Sequence, residues 1–178
     1  MAGHARERAW VRGAQSGSVA DLESLFRAHW PLAYRAAYLV VRDAAAAEDI
    51  AQEAFLAAVR RLDRFDRRRP FGPWLHRIVV NRAIDWTRAR SLRREVSDEL
   101  VAEPAAPAGN PHRSDAETLA LALAELSPEH RAVIVLRHLL EYTPAEIADL
   151  LELPRGTVNS RLRRGLDHLR ERIGEELR

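Results

Sequence analysis

Apolar residues recur at three- and four-residue spacing through most of the chain, the period of a helix buried along one face. In the first half the pattern begins at Val19, Leu22, Leu25 and Phe26 and continues through Ala33, Ala36 and Ala37. It resumes as Ile50, Ala54, Ala57, Ala58 and Leu62, in a helix expected over about 44–62 with Asp43 as its N-cap. A third helix is expected after Pro73, carrying Trp74, Leu75, Ile78, Val79, Ile84 and Trp86. The second half is punctuated more sharply. Ser127-Pro128 sets an N-cap before a proline at the first helical position. Thr143-Pro144-Ala145-Glu146 adds a capping box, and Pro154 opens a further helix. Four helices are therefore expected at about 115–126, 128–141, 144–151 and 154–173. No run alternates apolar and polar residues between turn signals, so the expected fold class is all-α.

Between the halves, Val101–Ser114 reads VAEPAAPAGNPHRS, with no apolar period and with Pro104, Pro107, Gly109 and Pro111. That composition reads as a flexible linker. The expected organisation is two small helical domains, 1–94 and 115–178, joined by an acidic Pro/Ala linker over 95–114.

Composition narrows the function classes. The chain has 178 residues, 47% hydrophobic and 30% charged, enough apolar content to build packed cores. It has no Cys, which excludes disulfides, thiolate metal sites and a cysteine nucleophile. No apolar run approaches the roughly 20 residues of a membrane helix. The Arg residues of the first twelve positions precede no apolar segment, so no signal peptide is expected. The expectation is a soluble cytoplasmic chain with no membrane insertion. There is no phosphate-cradling Gly loop and no HExxH, and the seven His are scattered. Neither an enzyme nor a metal or other cofactor is expected.

Charge is segregated. All 28 basic residues are Arg. A GC-rich genome accounts for their abundance but not for their distribution. Residues 43–53 carry Asp43, Glu48, Asp49 and Glu53 and no Arg, whereas residues 60–94 carry twelve Arg against three Asp. Residues 154–164 carry Arg155, Arg161, Arg163 and Arg164 and no acid. Between these two basic blocks, residues 95–117 carry one Arg against six acids, and basic blocks set apart in this way suit a polyanionic partner.

The last two expected helices are separated only by Glu152 and Leu153, the spacing of a helix-turn-helix. Val158, Leu162, Leu166, Leu169 and Ile173 form one stripe of the final helix. Thr157, Ser160, Arg163 and Arg164 lie opposite, with Asp167 and Glu171 further along. A recognition helix puts its N-terminal end into the major groove, where Arg pairs with guanine and Asn159 or Ser160 reaches other edges or phosphates. A solvated face in a small bundle is the bland alternative. Upstream, Asp49, Gln52 and Glu53 occupy neighbouring helical positions, either as solvated surface or as a docking face for a basic partner. In Arg60–Arg94, Phe65, Phe71, Trp74 and Trp86 interleave with the Arg residues. Aromatic faces stack on unpaired bases while cations follow phosphates. Trp74 and Trp86 suit a helix core, Phe65 and Phe71 a more exposed loop. Asn81 is either a base reader or a bonded buried amide. A helix-turn-helix regulator with a helical sensing domain would use the second half alike but leaves the acidic helix and aromatic block unexplained. A protein-binding helical adaptor is the other rival.

Three ordered segments carry a family resemblance: Ala47–Phe65, Phe71–Arg94 and Leu126–Arg170. Over about 18–174 the chain resembles bacterial RNA polymerase sigma factors of the extracytoplasmic-function (ECF) class. The resemblance implies a factor that binds core RNA polymerase, recognises a two-element promoter and initiates transcription, with an anti-sigma factor as a further partner. It implies that Asp49, Gln52, Glu53 and Phe55 meet the clamp helices of the largest polymerase subunit. It assigns Phe65, Phe71, Arg77, Asn81 and Arg88 to minus-ten DNA, with a base flipped from the non-template strand. It assigns Thr157, Asn159, Ser160, Arg161, Arg163 and Arg164 to the minus-thirty-five duplex. The chain departs from the family's pattern in its Arg67-Arg68-Arg69 run, in Asp85 and in Asn159.

Overall fold

Helix caps set the architecture. The Asp43 side chain accepts the Ala46 N–H at 3.0 Å, starting a helix where the sequence places it. Thr143 and Glu146 form a reciprocal capping box, with the Thr143 N–H donating to Glu146 Oε2 at 2.8 Å. The computed structural model describes residues 2–96 and 115–176, all-α among those residues. The helices are α1 (Ala2–Gln15), α2 (Val19–Val41), α3 (Ala44–Val59), α4 (Phe71–Val96), α5 (Asp115–Glu125), α6 (Pro128–His138), α7 (Pro144–Leu151) and α8 (Arg155–Glu176). A 3-10 turn, Leu62–Arg64, lies between α3 and α4. The α3 helix ends three residues short of the expected limit, and Leu62 is buried from the 3-10 turn instead. α6 likewise stops at His138, short of 141. The α1 helix has no counterpart in the sequence reading. Most of the linker, 97–114, lies outside the described residues.

Contacts divide the chain into two compact units, one of positions up to Tyr38 with Asp43–Ala83, the other of Leu39–Arg42 with Ile84 onward. The first unit is built on small residues. Ala33, Ala36, Ala37, Ala47, Ala51, Ala54 and Ala58 are buried, letting backbones approach closely, and Leu25, Leu75, Val79 and Val80 fill the remaining space. Phe26, Trp30, Tyr34 and Tyr38 recur one turn apart along α2, successive rings stacked with centroids 4.9–6.4 Å apart.

In the second unit, Val133, Leu136, Ile147, Val158 and Leu169 are buried between α6, α7 and α8. Gly165 lies at the α6–α8 crossing, where an added Cβ would meet Ile134 at 3.2 Å. Arg131 is buried. Its guanidinium donates to the carbonyls of Val40 at 2.5 Å, Ala124 at 2.9 Å and Leu126 at 2.8 Å. One cation thus answers unpaired carbonyls at the C-terminal ends of both α2 and α5. Burial, with Arg42 nearby, lowers its pKa to about 10, which leaves it charged at neutral pH.

Candidate nucleic-acid and polymerase interfaces

The acidic surface comes from the outer rows of α3. Glu48, Asp49, Gln52 and Glu53 are all exposed, because Ala47, Ile50, Ala51, Ala54, Phe55 and Ala58 take the inner rows. Glu53 is engaged by Arg82 of α4 at 2.5 Å. Phe55 does not join this surface. It is 6% exposed and packs on Phe26 and Trp30, with ring centroids at 4.9 and 6.1 Å. It lies on the buried row of α3, beneath the exposed acids. Two apolar residues that the sequence reading did not single out are exposed on α3 instead: Leu56, 53% exposed, and Val59, 40% exposed. Their signal was available, since both are apolar positions off the Ile50–Ala54–Ala58 stripe.

The second feature is a cavity of about 420 Å³ beside the chain between α3 and α4, lined by Arg61, Arg64, Phe65, Asp66, Arg69 and Trp74. The intervening loop is turned by Asp66. Its carboxylate accepts the Arg68 N–H at 3.0 Å, and its carbonyl accepts the Arg69 N–H at 2.9 Å. The Arg68 backbone and side chain hold the Asp66 carboxyl below its ordinary range. The expectation that Phe65 and Phe71 are exposed is corrected: both are buried. They bury each other, meeting edge to face at 5.9 Å, and both pack on Trp74, at 4.6 and 5.7 Å. Phe65 still contributes to the cavity wall, Phe71 does not, and half-buried Trp74 presents the other ring. Trp74, Arg77 and Asn81 share one face of α4 by helical spacing. Arg77 and Asn81 are half-buried and lie outside the cavity lining. Half-buried Trp86 carries the Arg90 guanidinium 5.0 Å from its ring centroid. Arg88, in the second unit, pairs with Glu129 at 2.9 Å. The predicted minus-ten set is therefore not gathered at one place: of its five members only Phe65 reaches the cavity.

The third feature is the helix-turn-helix. Glu152 closes α7 in the left-handed conformation, with φ 55°, and its N–H and that of Leu153 both donate to Ala148 O. Val158 is fully buried and α8 packs on α6 and α7, which turns the opposite side of α8 outward. Asn159, Arg163 and Arg164 are exposed there, beside Arg155. Thr157, Ser160 and Arg161 are half-buried, and the Ser160 hydroxyl donates to the Thr157 carbonyl at 2.9 Å. His130, beneath this surface, has a lowered pKa through burial and the nearby charges of Arg161 and Arg164. Six predicted readers thus resolve into three outward side chains and three flanking ones. No described helix is long and apolar enough to cross a membrane.

Residues 25–93 match Sigma-70 region 2, and residues 116–169 match Sigma-70 region 4. The ECF RNA polymerase sigma factor SigW of Bacillus subtilis is 31% identical over 176 residues, covering 92% of each chain. Among solved structures, CnrH in complex with the cytosolic domain of CnrY superposes with a TM-score of 0.70 at 27% identity, over 96% of this chain and 98% of that one. The sigma factor RpoE of Bartonella quintana, in complex with the anti-sigma factor NepR, gives a TM-score of 0.71 at 25% identity, over 88% and 98%.

Proposed function

The chain belongs to the ECF RNA polymerase sigma factors, and from that premise we propose how its surfaces divide the work of starting transcription. It binds core RNA polymerase, recognises a two-element promoter and initiates transcription, under control of an anti-sigma factor. It acts with the polymerase in the cytoplasm. Positions 1–94 dock on the polymerase and open the minus-ten element, 95–114 link, and 115–178 read the minus-thirty-five element.

The cavity beside the α3–α4 loop carries the strand-opening reading. Three Arg and two aromatic rings line one open recess, which combines phosphate attraction with a stacking surface. A base turned out of the duplex stacks there against Trp74, while Arg61, Arg64 and Arg69 hold its backbone. Arg77 and Asn81, on the same face of α4, extend the strand's path. The docking reading rests on Glu48, Asp49 and Gln52 with exposed Leu56 and Val59: an apolar patch rimmed by acids fits a basic, amphipathic polymerase surface. For the upstream duplex, Asn159, Arg163 and Arg164 point outward from the start of α8, the end that enters a major groove.

Run-off transcription with core polymerase tests the whole reading, and Trp74→Ala tests the cavity. That variant should open a duplex promoter poorly and recover on a template premelted through the minus-ten segment. Equal loss on both templates would remove strand opening from the cavity.

A further inference from the structure

The loop that supplies the cavity is held at both ends from one helix. At its start, Gln15 Nε2, on the last residue of α1, donates to the carbonyls of Leu62 at 2.7 Å and Phe65 at 3.0 Å. At its end, Glu7 Oε1, also on α1, accepts the N–H of Phe71 at 2.8 Å. Phe71 is the first residue of α4, so this carboxylate also caps a helix N-terminus. The other Glu7 oxygen lies 3.1 Å from His29 Nε2 and ties the same contact to α2. α1 is itself seated firmly. Val11 is 2% exposed, and the turn into α2 is so close that a Cβ on Gly13 would collide with Asp21.

Between these clamps lie Arg64, Phe65, Asp66 and Arg69, four of the six cavity-lining residues. The region 2 match begins at residue 25, so both clamping side chains come from outside it. We propose that α1 is a positioning element for the cavity, and that Gln15 and Glu7, by fixing the two ends of the loop, set which base the cavity accepts. Neither side chain lines the cavity, so both are positioning residues. The inference rests on the reading of the cavity as a base pocket. Its physical basis is that discrimination between bases depends on donors and rings held to a few tenths of an ångström, whereas phosphate attraction tolerates a looser loop.

The test uses reconstituted holoenzyme and sets of premelted promoters that vary each position of the opened segment. Gln15→Met keeps the side-chain length and removes the donor. Gln15→Glu sets a carboxylate against two carbonyls. Both should flatten the preference among the four bases at one position, about threefold for Met and about tenfold for Glu. Core-polymerase affinity and upstream duplex binding should stay within twofold. Glu7→Met should act as Gln15→Met does, while Glu7→Gln, which keeps an acceptor for the Phe71 N–H, should preserve the wild-type ranking. This second pair carries the test if the Gln15 variants fold poorly. Trp74→Ala separates the two levels. If it changes base preference while the Gln15 and Glu7→Met variants do not, the positioning role is overturned and the pocket stands. If Trp74→Ala leaves preference unchanged, the pocket reading fails and the inference fails with it.

Discussion

Acid should unfold the first unit through a single histidine. His76 is 5% exposed on α4, and burial together with the neighbouring His29 lowers its pKa from 6.5 to about 4, with Glu7 acting weakly in the opposite direction. Above pH 6.5 the imidazole is neutral in both folded and unfolded chains and adds no pH dependence. Below pH 6.5 the unfolded chain takes up a proton that the folded chain refuses until about pH 4. Stability therefore falls as pH drops through that window. Each pH unit is worth about 1.4 kcal/mol, so the interval amounts to about 3 kcal/mol, a large part of a small domain's stability. Trp10, Trp30 and Trp74 lie in the first unit and Trp86 in the second, so in a Trp86→Phe background tryptophan fluorescence during urea unfolding follows the first unit. Unfolding free energies drawn from urea titrations between about pH 7.5 and 4 should decline steeply in that background, and by about 3 kcal/mol less once His76→Leu, which cannot take up the proton, is added. Parallel declines would refute the assignment of the acid sensitivity to His76.

Three further outcomes follow from the other surfaces. Asp49→Arg should weaken core-polymerase binding by an amount on the order of several kcal/mol, since it meets a basic surface with like charge, and native-gel titration measures it. Arg163→Ala or Arg164→Ala should cost about 1–3 kcal/mol and relax specificity at one upstream base pair if the side chain reads a base. A uniform loss across element variants, with the salt slope reduced by about one, would identify a phosphate anchor instead. Thr143→Ala removes the cap of α7 and should lower C-terminal stability by about 1 kcal/mol in thermal unfolding followed by circular dichroism.

Local chemistry was legible in the sequence, and long-range contact was not. Asp43, Ser127-Pro128 and the Thr143–Glu146 box act within one turn, so their identity and spacing were sufficient to place three helix starts. The Val158–Leu162–Leu169 stripe likewise follows from a period. By contrast, α1 carries only two large apolar residues, Trp10 and Val11, and is fixed by partners 47 and 50 residues away. Phe65 and Phe71 sit among Arg, Pro and Gly, a context that reads as exposed, yet they bury one another against Trp74. Phe55 carries the family's spacing but falls on the inward row of α3, where spacing alone does not distinguish a contact from its support. The cavity was invisible for the same reason, because a loop folded back by Asp66 creates it and no motif marks that fold.

The crossing at Gly165 makes α8 a lever whose fulcrum is a missing side chain. Ten residues separate Gly165 from Arg155. At the helical rise of 1.5 Å per residue the arm is about 15 Å long. Ile134 sits hard against the fulcrum, so the tilt of the whole arm is decided there. A tilt of about 5° moves the far end by roughly 1 Å over that arm, more than a base-edge hydrogen bond tolerates. The aim of Arg155, and to a lesser degree of Asn159, is thus governed by an atom absent in mid-helix, whereas Arg164 and Arg163, one and two residues from that point, barely shift.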